Sequence, residues 1–279
     1  MKLHFAKVNP TENMTVFIRN QLPRSCYIEI ANKIMAYGNV YAEQVGFIEK
    51  AQDGECVRLQ MMGGEFCANA TRALAALLAY EDHKSVIKKD RKMNIPIEVS
   101  GMEKIIYCHV EETNDPIEFI SSIDMPLHKN IKNLDIEIDG QNYHMQLVEF
   151  PGIVHVVLKN EKIKDKTNFF LKVKEKLKDL EYEALGMIFY DEANTFIEPL
   201  IYVKETESLV FERGCGSGTA ALGVALSYEH QNDMNLKVNQ PGGVLEISTI
   251  WKNNTIEKIY LKGRVKIVAE GIVYISRNF

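Results

Sequence analysis

The chain has one tryptophan, no Cys-x-x-Cys pair and no apolar run long enough to cross a bilayer. The last absence argues against a membrane-spanning helix, which needs about 20 consecutive apolar residues. Its five cysteines, at positions 26, 56, 67, 108 and 215, are odd in number and too scattered for a structural zinc site. Charge of one sign is lacking as well: 33 Lys and Arg stand against 38 Asp and Glu, a formal net charge of −5, and the two signs are interspersed. That balance gives no surface for nucleic acid or for a membrane. The opening MKLHFAKVNP has no apolar h-region and no cleavage pattern, so reduced thiols in the cytoplasm are expected. The lysine-rich run from Lys162 to Lys178 reads as a solvated helix face.

Hydrophobic residues make up 46% of the 279, enough for a real core. That length suits one large domain or two of about 140 residues. Most of the chain reads as short β-rich segments separated by turn residues: LHFAKV, TVFIR, QVGFIEK, CVRLQM, IPIEVS and KIIYCHVE in the first half, and MQLVEF, VHVVLK, GMIFYD, PLIYVK, VLEIS, IEKIYLKG and GIVYIS in the second. Residues 25–37 and 165–180 have the pattern of amphipathic helices. Residues 67–81 and 215–230 differ. Arg72 is the one charge between positions 67 and 80, so such a helix must be buried on every side.

Those two apolar segments are related. CANATRALAALLAY begins at Cys67 and CGSGTAALGVALSY at Cys215; aligned without gaps they share Cys, Thr, Ala, Leu, Leu and Tyr, six of fourteen positions. Their surroundings correspond too. QVGFI at 44–48 parallels ALGMI at 184–188, and Met93-Asn94 parallels Met234-Asn235. An internal duplication follows. The expected fold is α+β, two pseudo-symmetric domains, each a mostly antiparallel sheet wrapped around a central helix. The boundaries are placed at 1–122, completed by the terminal strand 269–279, and 123–268.

A helix N-terminus carries unpaired N–H groups and the positive end of the helix dipole, which favours a thiolate and binds a carboxylate. Small residues follow each cysteine, Ala68-Asn69-Ala70 and Gly216-Ser217-Gly218, and admit a substrate close to the backbone. Two such sites acting on one amino acid would put a sulfur on each face of its α-carbon. One thiolate would remove the α-proton and the opposite thiol would return a proton to the other face. Cys26, Cys56 and Cys108 read instead as small buried hydrophobes.

Two motifs resemble those of the diaminopimelate epimerases. Cys67-Ala68-Asn69-Ala70-Thr71-Arg72 stands where that family has Cys-Gly-Asn-Gly-Ala-Arg, and Gly214-Cys215-Gly216-Ser217-Gly218-Thr219 where it has Ala-Cys-Gly-Ser-Gly-Ala. Weaker matches are Glu12-Asn13-Met14-Thr15 on the family's Gly-Asn-Asp-Phe loop, Gln44 on its glutamine, and Pro241-Gly242-Gly243. The resemblance implies Cys67 and Cys215 as the catalytic pair, no PLP or other cofactor, no metal, and a homodimer. It implies substrate contacts at Asn13, Gln44, Ala68, Asn69, Gly216, Ser217 and Gly218. The family's Asn-Pro-His is Ile153-Val154-His155 here, a further asparagine is Ala184, and Glu212-Arg213-Gly214 abuts Cys215. These departures fall on groups that grip diaminopimelate, and they point away from it. His155 stays a candidate for the site beside its reading as a core residue.

The sequence is more similar to the histidine racemases of this superfamily, through Asn9 to Thr15, Glu43 to Ile48, Glu65-Phe66-Cys67, Cys215 to Ala220 and Gln240 to Gly243. That resemblance implies racemisation of L-histidine to D-histidine. A carboxylate suits an imidazole, so Glu43, and after it Glu205, are candidates for the side-chain pocket. Three alternatives stand beside it: a diaminopimelate epimerase or broader racemase, a Cys–His hydrolase or transferase, and a non-enzymatic carboxylate-binding protein.

Overall fold

The structure is a computed structural model that describes residues 1–51, 56–205 and 207–276. The chain divides into two compact units, Met1–Asp124 with Lys262–Phe279, and Met125–Leu261. In chain order the first unit holds β1 (Lys2–Asn9), β2 (Thr15–Ile18), α1 (Tyr27–Met35), β3 (Gln44–Lys50), β4 (Val57–Met61) and α2 (Ala68–Tyr80). It continues through β5 (Ile87–Lys89), β6 (Lys92–Val99), β7 (Ile106–Glu112) and β8 (Glu118–Asp124). The second holds β9 (Asn130–Ile138), β10 (Gln141–Phe150), β11 (Ile153–Lys159), α3 (Lys166–Lys176), β12 (Ala184–Asp191) and β13 (Phe196–Val203). β14 (Ser208–Phe211), α4 (Gly216–His230), β15 (Met234–Gln240) and β16 (Gly243–Lys252) follow, and the long β17 (Thr255–Tyr274) returns the chain to the first unit.

The same connectivity is built twice. In the first unit β2 pairs antiparallel with β1 and parallel with β3, β3 antiparallel with β4, β4 parallel with β6, and β6 antiparallel with β7. In the second, β11 pairs antiparallel with β10 and parallel with β12, β12 antiparallel with β13, β13 parallel with β15, and β15 antiparallel with β16. Each parallel pair needs a crossover, and helices supply it. α1 joins β2 to β3 and α3 joins β11 to β12; α2 joins β4 to β5, the short strand before β6, and α4 joins β14 to β15.

The helices fall into two kinds, as their sequences require. α1 buries Tyr27, Ile30, Ala31 and Ile34, a single stripe at helical spacing, against Val16, Ile18, Val45 and Phe47. α3 likewise buries Phe169, Phe170 and Val173 against β10 to β13. α2 has no polar face: every residue from Ala68 to Ala79 is buried. It packs on β1, β2, β6, β7 and β8, and α4 packs on β10, β11, β12, β15 and β16.

Close packing in each copy depends on one glycine of the strand after the first crossover. A Cβ on Gly46 would lie 3.1 Å from the Phe17 ring and 2.7 Å from Leu59; one on Gly186 would lie 2.2 Å from the His155 ring and 2.8 Å from Ile201. These glycines let an aromatic ring lie flat on the neighbouring strand. Among the described residues no helix is long and apolar enough to cross a membrane.

Candidate active site

Cys67 and Cys215 are the N-caps of α2 and α4, with nearly the same backbone: φ −125°, ψ 111° and φ −112°, ψ 108°. Extended geometry at an N-cap turns the side chain back over the first turn. The Cys67 sulfur accepts from the Ala70 N–H at 3.4 Å, and the Cys215 sulfur from the Gly218 N–H at 3.2 Å. Each cap also has its carbonyl bonded by the threonine four residues on, Thr71 at 2.7 Å and Thr219 at 2.6 Å. These threonines explain one of the registered matches between the two segments.

The lead into each cysteine is held by the turn that follows β6 in the first unit and β15 in the second. In the first unit the Ser100 hydroxyl donates to the Glu65 carbonyl at 2.7 Å. Gly101, at φ +74°, comes so close that a Cβ would lie 2.5 Å from the Phe66 nitrogen. In the second unit the Gly242 N–H donates to the Arg213 carbonyl at 2.7 Å. Gln240 adds a second support, since its Oε1 accepts from the Cys215 N–H at 2.7 Å and its Nε2 donates to Thr219 Oγ1 at 2.8 Å. Its position in Gln240-Pro241-Gly242-Gly243 was the available sequence signal.

Three of the residues expected to contact substrate gather around Cys67. The Cys67 thiol donates to Gln44 Oε1 at 3.0 Å, Gln44 Nε2 donates to Asn13 Oδ1 at 2.7 Å, and Asn69 Nδ2 donates to the same oxygen at 3.3 Å. Asn13 Nδ2 donates to Glu43 Oε2 at 2.8 Å, so Glu43 joins the same cluster. The loop that delivers Asn13 is sharply bent. Thr11 and Glu12 have left-handed φ of 61° and 56°, and the Glu12 N–H donates to Asn9 Oδ1 at 2.6 Å. Arg72, fully buried, donates through Nη2 to Asn69 Oδ1 at 2.8 Å. Burial brings its guanidinium down to about 10, against the opposing pull of Cys67 and Cys108, so it stays charged at neutral pH.

The second cysteine has different company. Cys215 is 2% exposed, whereas Cys67 is half-buried. Its sulfur lies 3.5 Å from Ser217 Oγ. Burial above all, then the Glu212 carboxylate, pushes the Cys215 thiol well up, opposed by Ser217 and the Gly218 N–H. Gly216 and Gly218 are buried in the first turn. His155 faces the interior of this unit with its ring fully buried and neither nitrogen bonded, and burial drives its pKa down to about 3. Glu205 is exposed. Cys108 is buried and its thiol is pushed up by desolvation; Cys26 and Cys56 are half-buried. Among the described residues no three His, Cys, Asp or Glu side chains group to hold a metal ion.

This duplicated α+β architecture is a fold shared with solved racemases and epimerases. It superposes on a probable proline racemase from Agrobacterium radiobacter with a TM-score of 0.67, at 10% identity, covering 99% of this chain and 93% of the other. It matches a hydroxyproline epimerase from Agrobacterium vitis with a TM-score of 0.68, at 8% identity, over 98% and 92%. The chain belongs to the histidine racemase CntK family, whose N-terminal-domain model matches residues 2–274. It is 38% identical over 276 residues to a histidine racemase of Fusobacterium nucleatum, covering 98% of this chain and 97% of that one. A Staphylococcus aureus histidine racemase is 32% identical over 282 residues, covering 98% of each. The chain is an amino-acid racemase.

Proposed function

We propose that the chain interconverts L- and D-histidine, with Cys67 and Cys215 as the proton-transfer pair and without PLP. One sulfur, ionised, takes the α-proton; the other, protonated, delivers a proton to the opposite face of the carbon. The first-turn N–H groups of α2 and α4 bind the carboxylate and stabilise the charge that grows on it as the carbanion forms. Ala68, Asn69, Gly216, Ser217 and Gly218 form those turns, and Asn13 and Gln44 orient the substrate. His155 lines the second helix's surroundings as a neutral ring. The chain works as a homodimer in the cytoplasm, where its five free cysteines stay reduced.

The observation that carries this reading is the repetition of one cap: a cysteine sulfur turned onto the third amide of a buried helix, at Cys67 and again at Cys215. A single nucleophile would need one such cap, while a two-base racemase needs two. Histidine as substrate is supported by full-length identity to proteins named histidine racemases. Glu43 supplies a carboxylate for the imidazole N–H within the Cys67 cluster. The test is incubation with L-histidine or with LL-diaminopimelate, followed by chiral chromatography. D-histidine should form from the first and no epimer from the second; the reverse pattern would overturn the substrate assignment.

A further inference from the structure

The side-chain amides beside Cys67 have one consistent polarity. Glu43, as a carboxylate, only accepts, and it takes the Asn13 Nδ2–H at 2.8 Å. Asn13 Oδ1 is thereby turned toward Gln44 and Asn69, and it accepts from both, at 2.7 and 3.3 Å. Arg72 only donates, and its bond to Asn69 Oδ1 at 2.8 Å fixes Asn69 the same way round from the other end. Gln44 Nε2 places its second hydrogen on Thr15 Oγ1 at 2.7 Å. What Gln44 turns to the Cys67 sulfur, at 3.0 Å, is its carbonyl oxygen. An oxygen acceptor there is satisfied by S–H and repelled by a thiolate.

The duplicate copy lacks this arrangement. In the second unit Gln44 is matched by Ala184, Asn69 by Ser217 and Arg72 by Ala220. Folding therefore does not demand a cation at this place in the helix. Yet Arg72 is fully buried, its Nε and Nη1 have no hydrogen-bond partner, and its one side-chain bond goes into the Cys67 cluster. A buried cation without a carboxylate is costly to the fold. The nearby ionisable groups are the thiols of Cys67 and Cys108.

We infer that Glu43 and Arg72 are positioning residues that lock Gln44 with its carbonyl oxygen on the Cys67 sulfur, so that Cys67 rests as the protonated thiol. Its last step rests on the racemase reading: Cys67 is then the proton donor in the first turnover of the free enzyme. Cys215, which burial and Glu212 hold protonated at rest, first gives its proton to water; its thiolate then takes the α-proton from one face, and the Cys67 S–H bond breaks as its proton goes to the carbon from the other. Cys67 is left as a thiolate, ready to act as base on the product enantiomer or to regain a proton from water. Glu43 thus has a task beyond any contact with the imidazole.

Infrared spectroscopy of the substrate-free protein tests the lock directly. The difference between Cys215→Ala and Cys215→Ala/Cys67→Ala should show, at neutral pH, one hydrogen-bonded S–H stretching band belonging to Cys67. Its absence would overturn the inference. Iodoacetamide labelling of Cys67, read by peptide mass spectrometry, tests the two anchors. Each single variant keeps one anchor on Asn13 and moves the rate only through the charge it removes, Glu43→Gln upward and Arg72→Met downward, since the Arg72 cation favours a Cys67 thiolate. The double variant should label about tenfold faster, as a thiol lowered by about one unit would. A double effect equal to the product of the singles would mean two independent charges and no lock. Should the double variant fail to fold, the infrared band of the protein with both anchors still decides. Failure to racemise with the band present would count against the racemase reading and leave the lock standing.

Discussion

His155 fills in the second unit the place that Phe17 fills in the first. Phe17 pairs with Gly46 across β2 and β3, His155 pairs with Gly186 across β11 and β12, and each ring lies over its glycine. The histidine is thus packed as an aromatic core residue. Burial favours its neutral form, lowering the pKa from 6.5 to about 3. A depressed histidine pKa contributes stability that is fully present above the unfolded value near 6.5 and is lost as pH falls toward 3. The loss is of order 4–5 kcal/mol over that window. His155→Phe should therefore move the acid-unfolding midpoint to lower pH, followed by circular dichroism. An unchanged midpoint would show that His155 does not titrate on unfolding.

Gly186 carries the other half of that contact. A Cβ at 2.2 Å from the His155 ring cannot be accommodated without moving the strand. Gly186→Ala should cost about 1–3 kcal/mol in denaturant unfolding, in the range of overpacked cores. Gly38, where a Cβ meets nothing within 4 Å, is the control, and Gly38→Ala should change stability by less than about 1 kcal/mol. Equal effects at the two sites would contradict the packing account.

Gly101 links the fold to the site. Its backbone rests on Phe66, next to Cys67, at φ +74°. Gly101→Ala should lower racemase kcat more than Gly140→Ala. Gly140 also has positive φ, 79°, but a Cβ there would meet nothing within 4 Å. Steady-state kinetics on both variants checks this; equal kcat values would mean that the turn does not seat the cap.

Much of this was legible in the sequence. The repeated Cys-led segments gave two buried helices, because a helix without a polar face has nowhere else to go, and the structure starts them at Ala68 and Gly216. The stripes in 25–37 and 165–180 appear as α1 and α3; Asp165 is the N-cap of α3, its carboxylate accepting from the Asn168 N–H at 2.9 Å, while the other ends are trimmed by a few residues. What could not be read was the company each cysteine keeps. Gln240 reaches Cys215 from 25 residues away, and Asn13 and Gln44 meet Cys67 only once β2 and β3 pair. Such contacts depend on strand register, which no local pattern encodes. Arg72 was visible as a lone charge in an apolar helix; its direction, toward Asn69, was not.

Glu212 sets the second thiol apart. Its carboxylate adds to burial in disfavouring the Cys215 thiolate. Glu212→Gln should lower the Cys215 pKa and speed its alkylation at neutral pH while leaving Cys67 labelling unchanged. A slower reaction at Cys215 would reverse the sign of the argument and show that Glu212 assists ionisation.

Proton traffic through both thiols is the centre of the account, and solvent deuterium reports it most directly. L-histidine is incubated with the protein in D2O, and α-deuterium and D-histidine are followed together by NMR and chiral chromatography. The account predicts deuterium in the D-histidine formed. It also predicts that Cys67→Ala and Cys215→Ala each lower racemisation by about 10²–10⁴-fold, as loss of a general acid or base does. D-histidine that keeps its α-proton, or near-normal racemisation by either alanine variant, would contradict it.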